Sequence, residues 1–596
     1  MLDIVRVSGP PVRSCGKGGK VSAYDLVIWG GTVVDGNGGR PRTADVAITG
    51  GVIAEVGPAL GRGRREVGAA GALVTPGFVD IHTHYDGQAT WDERLLPSSW
   101  HGVTTAVMGN CGVGFAPATP GHRQRLIELM EGIEDIPGTA LHAGLRWDWE
   151  TFDQFLCSLA MRSHDIDFAT QVPHAALRVH VMGERALAGE AATADDVAAM
   201  AGLARAGVEA GALGFTTSRT LNHRSVTGEL TPTYDADVAE VAGIAAGLGA
   251  SGRGVLQLVA DFLDVQADLD VILAMARASG RPVSVSLIEI APRPGAFRQV
   301  LSGLAAASEE GLVVRAQVAA RAIGLLMGLQ CTLHPFMTNP VWREIAGRPP
   351  AEQARVMRGP AVKAAVLAAQ TDARNRNLIG GALIHKYELM YELTDPPSYE
   401  PDPGDTIAAR AAREGRAGED LAYDILTGDE GRAMLYVTAA NYVGGSLDSV
   451  HEMLAHPCTL PGLSDGGAHV GTISDGSFPT TLLAHWARDR RSGRFPVEYI
   501  VQRQARDTAR AVGLGDRGVL APGYRADVNV IDLDRLGLRR PEMHFDLPGG
   551  GRRLLQRAEG YLHTFVRGQE TYAAGEPTGA LPGRLVRGAQ PAPAGS

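Results

Sequence analysis

Lysine is almost missing from this chain of 596 residues: Lys17, Lys20, Lys363 and Lys386 are all there are, set against many arginines. Two sit in the N-terminal segment and two in a late irregular stretch. Cysteine is also scarce. Cys15, Cys111, Cys157, Cys331 and Cys458 are scattered, with no CxxC pair. That excludes a disulfide framework and a ribbon-type zinc site, and it fits a reducing, cytoplasmic setting. Long apolar runs are absent too. None reaches the ~18 residues a membrane helix needs, and MLDIVRVSGPPVRSCGKGGK has no apolar core of signal-peptide length. GKGGK lacks the preceding strand and the following Ser/Thr of a phosphate loop. A net charge of −10 argues against nucleic acid as a partner.

What is present is ordinary globular composition, 45% apolar and 20% charged. The length suits a large barrel with accessory units. Residues 1–22 read as a loose tail. From 23 to 75 the pattern is β-like, and RTADVAITGGVIAEVG predicts a hairpin turning at Gly50-Gly51. The same texture returns at 515–576, and the two ends are expected to build one small β-sandwich. Between them, over 76–514, short apolar strands alternate with Ala-rich helical stretches, which predicts a parallel sheet closing as a (β/α)8 barrel. TADD before Val197 is an N-cap signal and Gly211 a helix end. Residues 323–432 break the rhythm and read as an insertion, where lids and substrate contacts tend to sit. Residues 577–596 read as a second tail.

Chemistry enters at GFVDIHTHYDGQATWD, residues 77–92. His82 and His84 share one face of a strand and would point together from its end, a natural start for a divalent metal site. Asp86 lies close behind. GVTTAVMGNCGVGFAP ends its strand at Gly-Asn-Cys-Gly, so Cys111 is either an accessible zinc thiolate or a buried apolar cysteine. In GLSDGGAHVGTISDGSFP, Asp465 follows a short strand. It is a candidate metal ligand, proton acceptor or turn residue, with His469 and Asp475 nearby.

Together TPGFVDIHTHYD, GVTTAVMGNCGVGFAP, LSDGGAHVG and GVLAPGYRADVNVID resemble the amidohydrolase superfamily. The cysteine motif resembles its D-aminoacylase branch, the N-acyl-D-amino-acid deacylases. The resemblance covers about residues 24–576. It implies a metal-bearing (β/α)8 barrel with a β-sandwich, zinc (Zn2+, one or two per chain) on His82, His84, Cys111 and Asp465, and Asp465 as general base. The bridging carboxylated lysine of many superfamily members has no counterpart among four lysines so placed. The family's fifth- and sixth-strand histidines are also missing. The matching stretches are read as RPVSVSLIE and LVVRAQVAA, where Ser286, Glu289 and Gln317 stand. Glu289 is a substitute oxygen ligand, or His223 or His334 is recruited from a loop. His174 matches a third-strand histidine. Arg219 and Arg321 are candidates to hold a substrate carboxylate. The expected activity is zinc-dependent hydrolysis of a C–N amide bond, most simply deacylation of an N-acyl-(D-)amino acid. The alternatives are a hydantoinase-like hydrolase of cyclic or peptide-linked amides and a non-catalytic binding barrel. The expected partner is a small amide substrate, without nucleic acid or membrane, and a homo-oligomer is compatible with the long insertion.

Overall fold

The computed structural model describes residues 23–374 and 378–594. Cys15 and the GKGGK segment lie outside the described residues. Both chain ends enter one nine-stranded sheet. Tyr24–Val33 pairs antiparallel with Arg42–Thr49, which pairs in turn with Val52–Gly57. The turn between them is the expected Gly50-Gly51, with φ of 62° and 80°, a conformation glycine adopts without a Cβ penalty. Leu73–Pro76 then pairs antiparallel with Val528–Ile531, and the sheet continues through Tyr561–Val566 to Gln569–Ala573. Its alternating apolar residues, among them Ile28, Val46, Val74, Val528 and Phe565, are buried in a core of their own.

The middle of the chain lays down parallel strands in order. Phe78–Asp80, Val103–Met108 and Asp167–Thr170 form one run. Val172–Pro173, Gly214–Arg219, Val255–Ala260, Val283–Leu287, Val314–Val318 and Thr459–Pro461 form the next. The last strand returns to the first: Thr83 bridges Gly466 in parallel, and the Asp465 N–H donates to the His82 carbonyl at 3.1 Å. The intervening helices follow the local signals. Ala194–Ala210 starts at Thr193, whose side chain and that of Asp196 form a capping box, and ends at Gly211. It buries Met200, Ala204 and Val208 on one face.

Four expectations are corrected. Counting 167–173 as the third strand makes Val255–Ala260 the fifth, so RPVSVSLIE is the sixth strand and LVVRAQVAA the seventh. Neither Val255–Ala260 nor Val283–Leu287 contains a histidine, so the departure from the family pattern stands with different residues at the fifth position. Next, part of 515–576 leaves the sheet. Glu542–Leu547 and Gly551–Leu555 form a separate hairpin, and the Leu554 N–H donates to the Val470 carbonyl at 2.6 Å, beside the Asp465 loop. Finally, 577–594 is not a loose tail: Gly583 bridges His164, Leu585 bridges Phe168 and Gln590 bridges Leu514. The insertion has its own antiparallel sheet of Ile323–Met327, Leu435–Ala440 and Met390–Glu392, so it runs past 432. Its separate core includes Phe336 and Tyr423.

Candidate metal centre

His82 and His84 leave the end of Phe78–Asp80 on one face, with ring centroids 5.5 Å apart, and both are buried. Cys111 arrives from the end of Val103–Met108, and its Sγ lies 3.4 Å from His82 Nε2. One ligand atom from each of these three residues falls within a mutual 4.8 Å. Asp465, delivered by the last strand, places Oδ1 3.3 Å from His82 Nε2 and 3.6 Å from His84 Nε2. The first three ligands therefore come from two neighbouring paired strands, and Asp465 joins them from the last strand through the Thr83–Gly466 bridge.

The surroundings prepare these groups. Gln317 donates its amide N–H to Ser284 Oγ at 2.9 Å, so its Oε1 is the acceptor facing His82 Nδ1 at 2.7 Å. His82 then carries its proton on Nδ1 and turns a bare Nε2 toward Cys111 and Asp465, the arrangement a metal-binding histidine needs. Burial pushes the His82 pKa down to about 4, which keeps the ring neutral. Burial pushes the Cys111 thiol up to about 12, a shift that a bound cation would reverse. Burial alone would raise Asp465, but the adjoining imidazoles of His84, His82 and His469 hold it well below the usual carboxylate range. Among the described residues, both ring nitrogens of His84 are buried without a hydrogen bond of good geometry. A neutral site left so would lose ~1–3 kcal/mol per group. Two imidazoles, a thiol and a carboxylate around such orphaned atoms fit a divalent metal of zinc type.

One participant escaped the sequence reading. Glu134 is buried, its Oε1 3.3 Å from His84 Nδ1 and its Oε2 3.6 Å from His469 Nε2. Burial pushes its pKa up to about 7. The signal was there: Glu134 ends helix Arg123–Glu134 on the stripe of Ile127 and Met130, an acid where an apolar residue belongs. Gln257, on the true fifth strand, accepts the Cys111 N–H at 3.3 Å.

The backbone is strained where the chemistry gathers. Cys111, Asp465 and His469 have φ of 55°, 48° and 48°, and Asp135, beside Glu134, has 50°. Such conformations cost roughly 1–2 kcal/mol per residue and cluster at functional sites. Gly467 explains the Asp-Gly-Gly run: at φ 90°, a Cβ there would meet the Tyr85 ring at 2.7 Å.

The remaining expected residues are engaged elsewhere. His174 meets Thr217 Oγ1 at 2.8 Å and Glu240 Oε1 at 2.9 Å, which leaves neither nitrogen for a substrate. Arg219 donates to the Ala236 carbonyl. Arg321 is buried, pairs with Asp475 at 3.2 Å and stacks on Tyr399, so it anchors the 474–481 segment. Glu289 accepts the Gly295 N–H at 3.1 Å, away from the three-ligand group. His334 accepts the Phe336 N–H within the insertion. His223 is buried and meets Ser218 Oγ at 2.7 Å, and its ionisable neighbours are His469, His84, Asp465 and His82, so it stands beside the centre. His469 joins the centre through Glu134.

With this geometry in hand, comparison with known proteins defines the class. The amidohydrolase family model matches residues 65–572, and the chain belongs to that family. It is a metal-dependent amidohydrolase, and within the family it lies with the D-aminoacylase branch. It is 26% identical over 570 residues to a D-aminoacylase of Alcaligenes xylosoxydans xylosoxydans, covering 94% of this chain and 97% of that one. An N-acyl-D-glutamate deacylase of the same organism is 27% identical over 568 residues, covering 94% and 96%. Among solved structures, a D-aminoacylase described as having a binuclear metal centre superposes with a TM-score of 0.63 at 25% identity, covering 95% of this chain and 100% of that one. The N-acyl-D-glutamate deacylase of Bordetella bronchiseptica, complexed with zinc and a phosphonate inhibitor, gives 0.63 at 25% identity, covering 95% and 99%.

Proposed function

We propose that this protein is a zinc-dependent deacylase of N-acyl-D-amino acids or closely related amides, built as a (β/α)8 barrel with a β-sandwich formed from both chain ends. The observation that carries this reading is the convergence of His82, His84, Cys111 and Asp465 at the closing seam of the parallel sheet. These residues would hold one zinc, and a second is compatible with the binuclear relative. When bound, zinc supplies Lewis-acid polarisation and makes water acidic near neutral pH. Asp465, ionised at neutral pH, accepts the proton of the attacking water and returns it to the leaving nitrogen. Gln317 fixes His82, and Glu134 fixes His84 from its far nitrogen. The substrate is a small amide; nucleic acid and membrane are not partners in this reading. Among the described residues no helix is long and apolar enough to cross a membrane. The four described cysteines are free, which supports a cytoplasmic enzyme.

The test begins with metal content per chain, measured by plasma mass spectrometry on protein purified without chelators or added metal. The expected result is about one zinc per chain, followed by amine release from a panel of N-acyl-D-amino acids. No amine from any panel member with metal-replete protein overturns the deacylase reading. A second reading is favoured by the histidine-free strands Val255–Ala260 and Val283–Leu287: hydrolysis of a cyclic or peptide-linked amide, or ligand binding without chemistry. A His82→Ala/Cys111→Ala variant separates these, because an enzyme loses metal and turnover together while a binder keeps its ligand.

A further inference from the structure

The ends of the parallel strands opposite the metal centre enclose a cavity of about 550 Å³. Val255, Val283 and Val313, at the strand starts, form its apolar wall with Leu460 and Tyr499. Arg315, Arg503 and Arg510 also line it, with Asp507 the one acid. A second cavity of about 410 Å³ shares Val255 and Val512 with the first and adds Arg253, Arg281 and Arg587, against the single acid Glu209. Both acids already have cations: Asp507 lies 3.0 Å from Arg506 and Glu209 lies 2.8 Å from Arg205. In a chain of net charge −10, this concentration of arginine is local.

Arg503 is the most telling member. It is 7% exposed, and one guanidinium nitrogen bonds Thr459 Oγ1 at 3.0 Å. Its buried Nε has no partner among the described residues. The Thr459 carbonyl, Asp507 at 3.7 Å and the Tyr499 ring at 5.7 Å partly compensate this cation. Burial still pushes the Arg503 pKa down, so a further acceptor would be favourable there. The backbone is unusual at the same place: Arg503–Asp507 is a π-helical turn, a form that occurs mostly as short bulges within α-helices and frequently at functional sites.

We propose that this cavity is a second ligand site, separate from the metal centre, for an organic anion with an apolar body, a phosphate ester or a carboxylate. Guanidinium groups on one side match either anion through paired N–H donors. The valine, leucine and tyrosine wall matches the body, and the volume lies in the range of small-molecule sites. The inner wall carries Ser284 and Gln317, and Gln317 touches His82 at 2.7 Å, so an occupant would adjoin the support of a metal ligand. The proposal holds whether or not the chain proves to be a deacylase.

The test is calorimetric titration of the full-length, metal-loaded protein with phenyl phosphate and, separately, with octanoate, in chloride buffer. The wild type is compared with Arg315→Ala/Arg510→Ala, which leaves buried Arg503 in place, and with Asp465→Asn at the metal centre. Circular dichroism checks that each variant is folded. At least one probe is expected to bind one per chain, about tenfold or more weakly in the double-arginine variant, as loss of charge-assisted bonds implies, and unchanged in Asp465→Asn. Binding of phenyl phosphate alone assigns a phosphate ester, and binding of octanoate alone a carboxylate. Binding of neither probe overturns the proposal. So does full affinity in the double-arginine variant, or loss of binding in Asp465→Asn.

Discussion

In the proposed reaction the chemistry turns on Asp465, which alone of the four candidate ligands is partly open, with its side chain 23% exposed. Asp465→Asn is expected to cut kcat by about 10²–10⁴-fold, the usual contribution of a general base, in steady-state assays on the best panel substrate. Glu134 acts one step further out. Glu134→Gln is expected to weaken zinc affinity by about 10–100-fold in chelator competition, as loss of a carboxylate behind a metal-binding histidine does. The melting temperature of the metal-free protein should change little by comparison. His82, His84, Cys111 and Asp465 were legible because each sits in a short motif flanked by glycine or by a strand end. Glu134 was only half legible: its place on an apolar helix stripe marks it as buried, but nothing local says that it will meet a histidine 50 positions earlier.

At the scale of elements, Glu400 fastens the insertion to the π-helical segment Leu482–Asp489 and the turn after it. It lies 2.8 Å from His485 Nε2 and 3.1 Å from Arg490, and it accepts the Leu447 N–H at 3.0 Å. Burial would raise its pKa, yet the His485 and Arg490 hydrogen bonds bring it down to about 2 from 4.5. A folded-state pKa below the unfolded value stabilises the protein above about pH 4.5, and the gain is lost as pH falls toward about 2. Glu400→Gln should therefore cost roughly 1–2 kcal/mol at pH 7, after discounting for partial exposure. In urea melts the difference from wild type should shrink steadily between pH 5 and about 3. A difference that stayed constant with pH would show that packing, not charge, is what Glu400 contributes. The alternation of strands and helices and the Gly50-Gly51 hairpin were readable because period, caps and turn residues are local. The strand count slipped by one at Val255–Ala260, the true fifth strand, which carries no histidine to mark its end. The hairpin at Glu542–Leu547 was missed because its residues alternate like those of the sheet it leaves.

At the scale of the molecule, the last described segment closes the fold. Residues 577–594 bridge to His164 and Phe168 in one stretch and to Leu514 in another, far apart in the chain. Truncation after Pro577 is expected to lower the melting temperature by a few degrees, at less than the about 2–4 °C per kcal/mol typical of chains of roughly 150–250 residues. A truncated protein with an unchanged melting temperature would show those contacts to be idle. The composition of the segment, rich in Gly, Pro and Ala, hid this, since its anchoring is by backbone pairing, which composition does not record.

The sheet shared by both ends also sets a schedule for synthesis. Leu73–Pro76 takes its partner from Val528–Ile531, on the order of 450 residues later. At about 5–20 residues per second, that strand waits roughly 20–90 s on the ribosome with an open edge. Throughout that interval the emerging chain carries an apolar strand paired only on its Tyr24–Val33 side, with an open edge of the kind that recruits neighbours. Yield in a heterologous host should therefore respond to chaperone supply and to the speed of translation before residue 528, even in variants whose finished fold is equally stable.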